Sequence, residues 1–394
     1  MDITIYPTLL RGTIAAIPSK SQAHRILICA AFADKTTYVY CKDTNDDIDA
    51  TAACLQALGA NISRSEFGYI VHPIVTAPEH ADLHCNESGS TLRFLLPIVG
   101  ALGVDATFHM RGRLPARPLS PLWEELERMG CSLTRPTNNT LRCTGQLTAG
   151  NYQMDGGVSS QFISGLLFAM SILPGQSHLE LTGKVESVPY IRLTQDVLRK
   201  FGVDAERFEI TGKLPLSSPG QIEVEGDWSN AAFFLAANAL GNAINVTNLD
   251  DLSVQGDRAV ADILKEISKH IRISAADIPD LVPILSVAAA ANKGAVFTHI
   301  QRLRMKESDR VETVSKMLQN FGCKATETET TLTVEPAPFR GCIVDAAGDH
   351  RIAMAAAIAS TATSGPVTIL GAECVAKSYP KFWDDFRKLG GKYE

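Results

Sequence analysis

Nowhere in the 394 residues is there an uncharged apolar run of about 18 residues, so the sequence offers no helix able to span a bilayer. The opening Met1-Asp2-Ile3-Thr4-Ile5-Tyr6 also lacks the basic and then apolar stretches of a secretory signal. A cytoplasmic protein without a membrane partner is expected. Positive charge is in deficit: 37 Lys and Arg against 43 Asp and Glu leave a net charge of −6. No global basic field can recruit nucleic acid, and any anion site must be a local cluster. The nine cysteines are odd in number and contain no C-x-x-C pair, which argues against a disulfide framework and against zinc-ligand spacing. P-loop, GxGxxG and GxSxG signatures are missing as well. Neither a metal nor an organic cofactor is expected. What remains is ordinary for a globular protein: 45% hydrophobic, 20% charged, and long enough for two or three domains.

Two interleaved series organise the chain. Five times a polar amphipathic segment ends in a glycine at which a left-handed helix cap fits: Gly59, Gly130, Gly202, Gly322 and Gly390. The spacings are 71, 72, 120 and 68 residues. The segment 257–267 (DRAVADILKEI) fills the long gap as a helix without its glycine. Six times a polar cluster opens a very apolar helix, at Ser19-Lys20-Ser21, Ser88-Gly89-Ser90, Ser159-Ser160-Gln161, Asp227-Trp228-Ser229, Pro279-Asp280 and Gly348-Asp349-His350. Ser and Asp there are good N-caps. The pattern predicts six units of about 65 residues, each with one buried and one exposed helix plus several strands. A crossing between halves is expected near Pro215-Leu216-Ser217-Ser218-Pro219-Gly220.

Lys and Arg concentrate at these helix starts. Lys20 and Ser21 begin one helix and Arg25 follows a turn later; Glu87-Ser88-Gly89-Ser90-Thr91-Leu92-Arg93 repeats the arrangement. A helix N-terminus offers free N–H groups and partial positive charge, which suits phosphate or carboxylate. The loop 111–118 (RGRLPARP) holds three arginines, which can grip such groups with paired hydrogen bonds. Arg304-Met305-Lys306-Glu307-Ser308-Asp309-Arg310 is the densest charged cluster, with Lys306 and Arg310 at i,i+4 on one helical face. Each motif alone also reads as an ordinary cap, solvated loop or salt-bridged turn. Asp349-His350-Arg351 before a buried alanine-rich helix is harder to read so, because charge there must face a partner or ligand. Together the motifs require at least two anionic groups.

In order along the chain, SKSQAHR (19–25), ESGSTLR (87–93), LPARP (114–118), DGGVSSQF (155–162), SVPY (187–190), EGDWS (225–229), IPDLVP (278–283), RMKESDR (304–310), GDHRIAM (348–354) and Lys377 make the chain resemble the enolpyruvyl transferase family, in its EPSP synthase branch. The resemblance implies an α/β (α+β) fold. It would be a two-domain inside-out barrel of six βαβαββ units, three per domain, with 19–220 as one domain and 1–18 plus 221–394 as the other. It implies transfer of the enolpyruvyl group of phosphoenolpyruvate to shikimate 3-phosphate, in a family that glyphosate targets by competing with phosphoenolpyruvate, and a monomer without nucleic-acid partners. By the same resemblance Lys20, Ser21, Arg25, Ser159, Ser160, Gln161, Ser187, Tyr190, Asp280 and Lys306 hold shikimate 3-phosphate. Lys20, Gly89, Arg117, Gln161, Glu307, Arg310, Arg351 and Lys377 hold phosphoenolpyruvate. The chemistry would fall to Asp280, Glu307, Lys20, Lys377 and His350. The sister branch acting on UDP-N-acetylglucosamine uses a loop Cys before its Arg-Pro, and residues 111–118 contain none. Ile17-Pro18 replaces a frequent Pro-Gly, and Glu87 and Arg302 stand where Asn is common. The fourth unit is short around Ser268 to Ala276, which should trim an outer loop or strand.

Overall fold

Two kinds of helix recur because two kinds of sequence recur. In Lys20–Ala31, Gly89–Leu102, Ser160–Ile172, Trp228–Ala237, Val282–Ala290 and His350–Ala359 nearly every residue is buried, as helices apolar all round must be. Asp46–Ala57, Leu122–Arg128, Val188–Lys200, Val260–Glu266, Arg310–Asn320 and Phe382–Lys388 bury at most one face. The computed structural model describes residues 1–394. None of its helices is long and apolar enough to cross a membrane.

The glycine stops are where the pattern places them. Gly59, Gly130, Gly202, Gly322 and Gly390 all have φ between 81° and 115°, a region that a side chain at those positions would strain. The helix expected at 257–267 is a 3-10 turn, Gly256–Ala259, running into Val260–Glu266.

Tertiary contacts divide the chain into two compact units, Pro18–Val224 and Met1–Ile17 with Glu225–Glu394, each with its own hydrophobic core. There are six sheets, three in each unit. In four of them the same sequence of pairings repeats, a parallel pair followed by two antiparallel strands. One is His80–Asn86, Asp105–Met110, Thr140–Gly145 and Cys131–Thr134. The N-terminal strand Ile3–Tyr6 completes such a sheet beside Val367–Leu370. The fourth repeat departs from the pattern. Its sheet has only Arg11–Ala15 and Ala243–Thr247, paired in parallel. Where the antiparallel strands would follow, the chain passes directly into Ile271–Ser274, which pairs with Ala295–Thr298 and opens the next sheet.

Buried helices can approach closely where glycine permits. A Cβ on Gly165 would lie 2.3 Å from the carbonyl oxygen of Arg93. Gly89–Leu102 therefore packs backbone to backbone on Ser160–Ile172, and their N-terminal polar residues meet: Gln161 Nε2 donates to Ser90 Oγ at 2.9 Å.

Candidate active site

In the first unit three buried helices begin with capped, polar first turns. Ser19, Ser88 and Ser159 accept hydrogen bonds from Gln22, Thr91 and Gln161 N–H, a local arrangement that satisfies some of the free donors and leaves others available. Lys20 Nζ lies 2.9 Å from Asp47 Oδ2. Arg25 is buried. Its guanidinium donates to Thr194 Oγ1 at 2.8 Å, to Ser21 O at 2.5 Å and to Tyr190 O at 3.1 Å, and lies 4.9 Å from the centre of the Phe94 ring. All these partners are neutral, and no carboxylate pairs with it. Burial lowers its pKa to about 9, which still leaves it charged at neutral pH. A buried cation held only by neutral acceptors lacks the counter-charge that buried ions usually have.

At the start of Gly89–Leu102, Gly89 is overhung by two guanidiniums. A Cβ there would lie 2.6 Å from Arg93 Nη1 and 2.8 Å from Arg117 Nη1. Of the three arginines in the loop 111–118, Arg111 and Arg113 are exposed, and only Arg117 is brought to this helix start. Ser187 precedes Val188–Lys200 at φ 55°, and it is buried. This left-handed conformation is uncommon for a non-glycine residue and persists only where the surroundings hold it. Tyr190 follows on the first turn, and Ser160 begins the helix that Gln161 continues.

The second unit gathers charge around one guanidinium. Arg310, 1% exposed, donates through Nε to Asp349 Oδ2 at 2.8 Å, through Nη1 to Asp280 Oδ1 at 2.6 Å and through Nη2 to Glu307 Oε2 at 2.7 Å. Arg351 Nη2 donates to the other oxygen of Asp280 at 3.1 Å, and Lys306 Nζ lies 3.7 Å from Oδ1. Burial pushes the Asp280 carboxyl up, but Arg351, Lys306 and Arg310 outweigh it and hold the pKa well below the usual carboxylate range. Burial lowers Lys306 to about 8 despite Asp280. Asp349 caps His350–Ala359 by accepting from Arg351 N, and also accepts from Ser308 Oγ at 3.0 Å. His350 is buried, with Nδ1 4.0 Å from Asp349 Oδ1. Lys377 is buried at the end of the 3-10 helix Ala372–Lys377.

Two local expectations change. Asp280 does not cap the following helix, which starts at Val282 behind Leu281 with no side-chain cap; its carboxylate is committed to three cations instead. Lys306 and Arg310 do not share a helical face. The helix begins at Arg310 behind the cap Asp309, and Lys306 lies outside it; the two meet on Asp280. Arg304 is the surface ion pair of the cluster, bound to Asp309 and Glu327. Asp47 and Asp257 enter the two networks without a signal in the sequence for that role, while Ser229 and Ser308 come from clusters the sequence marks but with no role assigned to them.

Residues 6–386 match the family model of EPSP synthase, 3-phosphoshikimate 1-carboxyvinyltransferase. The chain belongs to the EPSP synthase family. The 3-phosphoshikimate 1-carboxyvinyltransferase of Clostridium kluyveri is 37% identical over 421 positions, covering 100% of this chain and 98% of the relative. That of Clostridium beijerinckii is 38% identical over 429 positions, with the same coverage. Among solved structures, an EPSP synthase of Acinetobacter baumannii superposes with a TM-score of 0.82 at 27% identity, covering 100% of this chain and 99% of that one. The enolpyruvyl transferase NikO of Streptomyces tendae shares the fold, with a TM-score of 0.78 at 18% identity, covering 100% of this chain and 98% of that one. Enzymes of the EPSP synthase family transfer the enolpyruvyl group from phosphoenolpyruvate to shikimate 3-phosphate on the route to aromatic amino acids.

Proposed function

We propose that this chain transfers the enolpyruvyl group of phosphoenolpyruvate to the 5-hydroxyl of shikimate 3-phosphate. The carrying observation is Arg25, a buried guanidinium whose partners are all neutral. A substrate phosphate would supply its missing counter-charge. Lys20, Ser21, Arg25, Ser159, Ser160, Gln161, Ser187, Tyr190, Asp280 and Lys306 are the shikimate 3-phosphate set. Gly89, Arg117, Gln161, Glu307, Arg310, Arg351, Lys20 and Lys377 are the phosphoenolpyruvate set, with His350 nearby.

The reaction is addition followed by elimination. The hydroxyl oxygen attacks C2 while C3 takes a proton; phosphate then leaves as C3 gives a proton back. Asp280 is assigned to the hydroxyl proton and Glu307 to C3. Lys20 and Lys377 stabilise developing charge and the departing phosphate. Asp280 paired to three cations is a weak base, but an incoming anion competes for Arg351. As that pairing weakens, the carboxylate's proton affinity rises, so the base gains strength when the substrate arrives. No covalent enzyme intermediate is needed, and the nine cysteines, all free thiols, are bystanders. The repeated pairing in four of the six sheets and the paired helix types support a chain built from βαβαββ units, the fourth of them shortened. The same reading makes the protein a cytoplasmic monomer without nucleic-acid partners.

Phosphate release tests the proposal directly. Release from phosphoenolpyruvate should require shikimate 3-phosphate. No release with both present, or equal release without the second substrate, would refute the function. A second measurement tests Gly89. An added methyl must displace the Arg93 and Arg117 guanidinium tips. Gly89→Ala should therefore raise the KM for phosphoenolpyruvate about tenfold, the worth of about 1.4 kcal/mol, and leave that for shikimate 3-phosphate within about twofold. Unchanged KM values would show that Arg117 is not part of the grip.

A further inference from the structure

One arm of the second network runs away from the reacting groups. The hydroxyl of Ser229 accepts from Arg351 Nη2 at 3.2 Å and donates its own proton to Asp257 Oδ2. A hydroxyl has one proton. With that proton committed to Asp257, a lone pair of Ser229 is turned toward the guanidinium. The same Nη2 reaches Asp280 at 3.1 Å, so Arg351 is held between a carboxylate and an oriented hydroxyl.

Asp257 is itself well fixed. It lies in the 3-10 turn Gly256–Ala259 and is buried. The preceding Gln255 ties this turn to the start of Trp228–Ala237, accepting from Trp228 N at 3.2 Å and donating to Gly226 O at 2.8 Å. Ser229 sits on the first turn of that helix, behind its cap Asp227. Both ends of the Ser229–Asp257 contact are therefore anchored to the same few residues of backbone. A buried carboxyl group that serves only to hold a helix start would be redundant here, since Asp227 already caps it.

We propose that Asp257 is a positioning residue which, through Ser229, fixes the Arg351 guanidinium in the orientation that grips phosphoenolpyruvate. The inference rests on the functional reading above. Without Asp257 the Ser229 hydroxyl can rotate and turn its proton toward a cation, which repels it. The guanidinium then loses an oriented acceptor and with it part of its alignment. The Asp257 pKa is pushed up to about 7, by burial first and by Asp280 second. Near neutrality it thus carries a proton part of the time, and Asn, with an acceptor oxygen in the same place, is a close mimic of that form.

Steady-state kinetics on the full chain test the proposal, with both substrates varied in turn. The wild-type enzyme is the reference: if it fails to release phosphate, the functional reading falls, whatever the variants do. Against an active wild type, Asp257→Ala and Ser229→Ala should each raise the KM for phosphoenolpyruvate about tenfold, the loss of one well-made charged contact. The KM for shikimate 3-phosphate should stay within about twofold. Asp257→Asn should recover most of the loss, and the double variant should be no worse than the poorer single, because both act through one contact. Equal loss for both substrates, no rescue by Asn, or additive losses in the double variant would overturn the proposal. Should Asp257→Ala fail to fold, Ser229→Ala decides the matter: an unchanged KM for phosphoenolpyruvate overturns it.

Discussion

Asp280→Asn should lower kcat by about 10²–10⁴, the usual worth of a positioned acid or base, while both substrates still bind. Asn is the informative replacement because of what Asp280 touches. Its two oxygens are divided between Arg310 at 2.6 Å and Arg351 at 3.1 Å, with Lys306 at 3.7 Å. Ala would take a partner from two guanidiniums and an ammonium at once and mix lost chemistry with a rearranged site. Asn keeps an acceptor in place and removes only the charge and the ability to take a proton. Arg351, less tightly held, becomes more available to phosphoenolpyruvate, so the KM for that substrate should stay equal or fall. A variant turning over within a few-fold of wild type would exclude Asp280 as the base. If Glu307→Gln were equally benign, the acid–base assignment as a whole would fail.

How much of this site could be read from sequence depended on how local the cause was. The caps Ser19, Ser88, Ser159, Asp227 and Asp349 act on N–H groups two or three residues away, and their sequence pattern is sufficient to find them. The helix-ending glycines are equally local. Asp280 shows the limit. The pattern before its helix is that of a cap, yet tertiary electrostatics claims the carboxylate, because Arg310, Arg351 and Lys306 converge on it. The same holds for Asp257, which reads as the first residue of an outer helix and instead orients a serine 28 positions earlier. Partners contributed by distant segments leave no spacing to detect. The short fourth repeat was visible as missing length. Which strands it lacks was not, since the strand following the gap joins the next sheet.

Arg310→Ala should be the most destabilising single change in the second unit. Its guanidinium is buried and touches Asp280, Glu307 and Asp349, and its pKa, though pulled down by burial, is held well above the ordinary value by Asp349, Glu307 and Asp280. Removing one partner of a buried ion pair costs about 3–5 kcal/mol, because the other charge stays buried and uncompensated. Here Asp349 and Glu307 would lose the cation between them, while Asp280 would keep Arg351 and Lys306. Arg310→Lys should recover part of the loss: it restores the charge but cannot extend a fork to three carboxylates. The pH dependence has a definite sign. In wild type Asp280 titrates below its unfolded value, so its contribution is present above about pH 4 and is lost as pH falls through the folded pKa. In the variant Asp280 loses one of the cations that hold its pKa down, so it titrates higher and takes its proton before the wild-type carboxyl does. The deficit should therefore be largest near pH 7 and shrink on approaching about pH 4. Thermal unfolding read by tryptophan fluorescence can follow it, with Trp228 and Trp383 in the affected unit and Trp123 in the other. A deficit of the same size at both pH values would mean that lost packing, not unpaired carboxylate charge, is what Arg310 prevents.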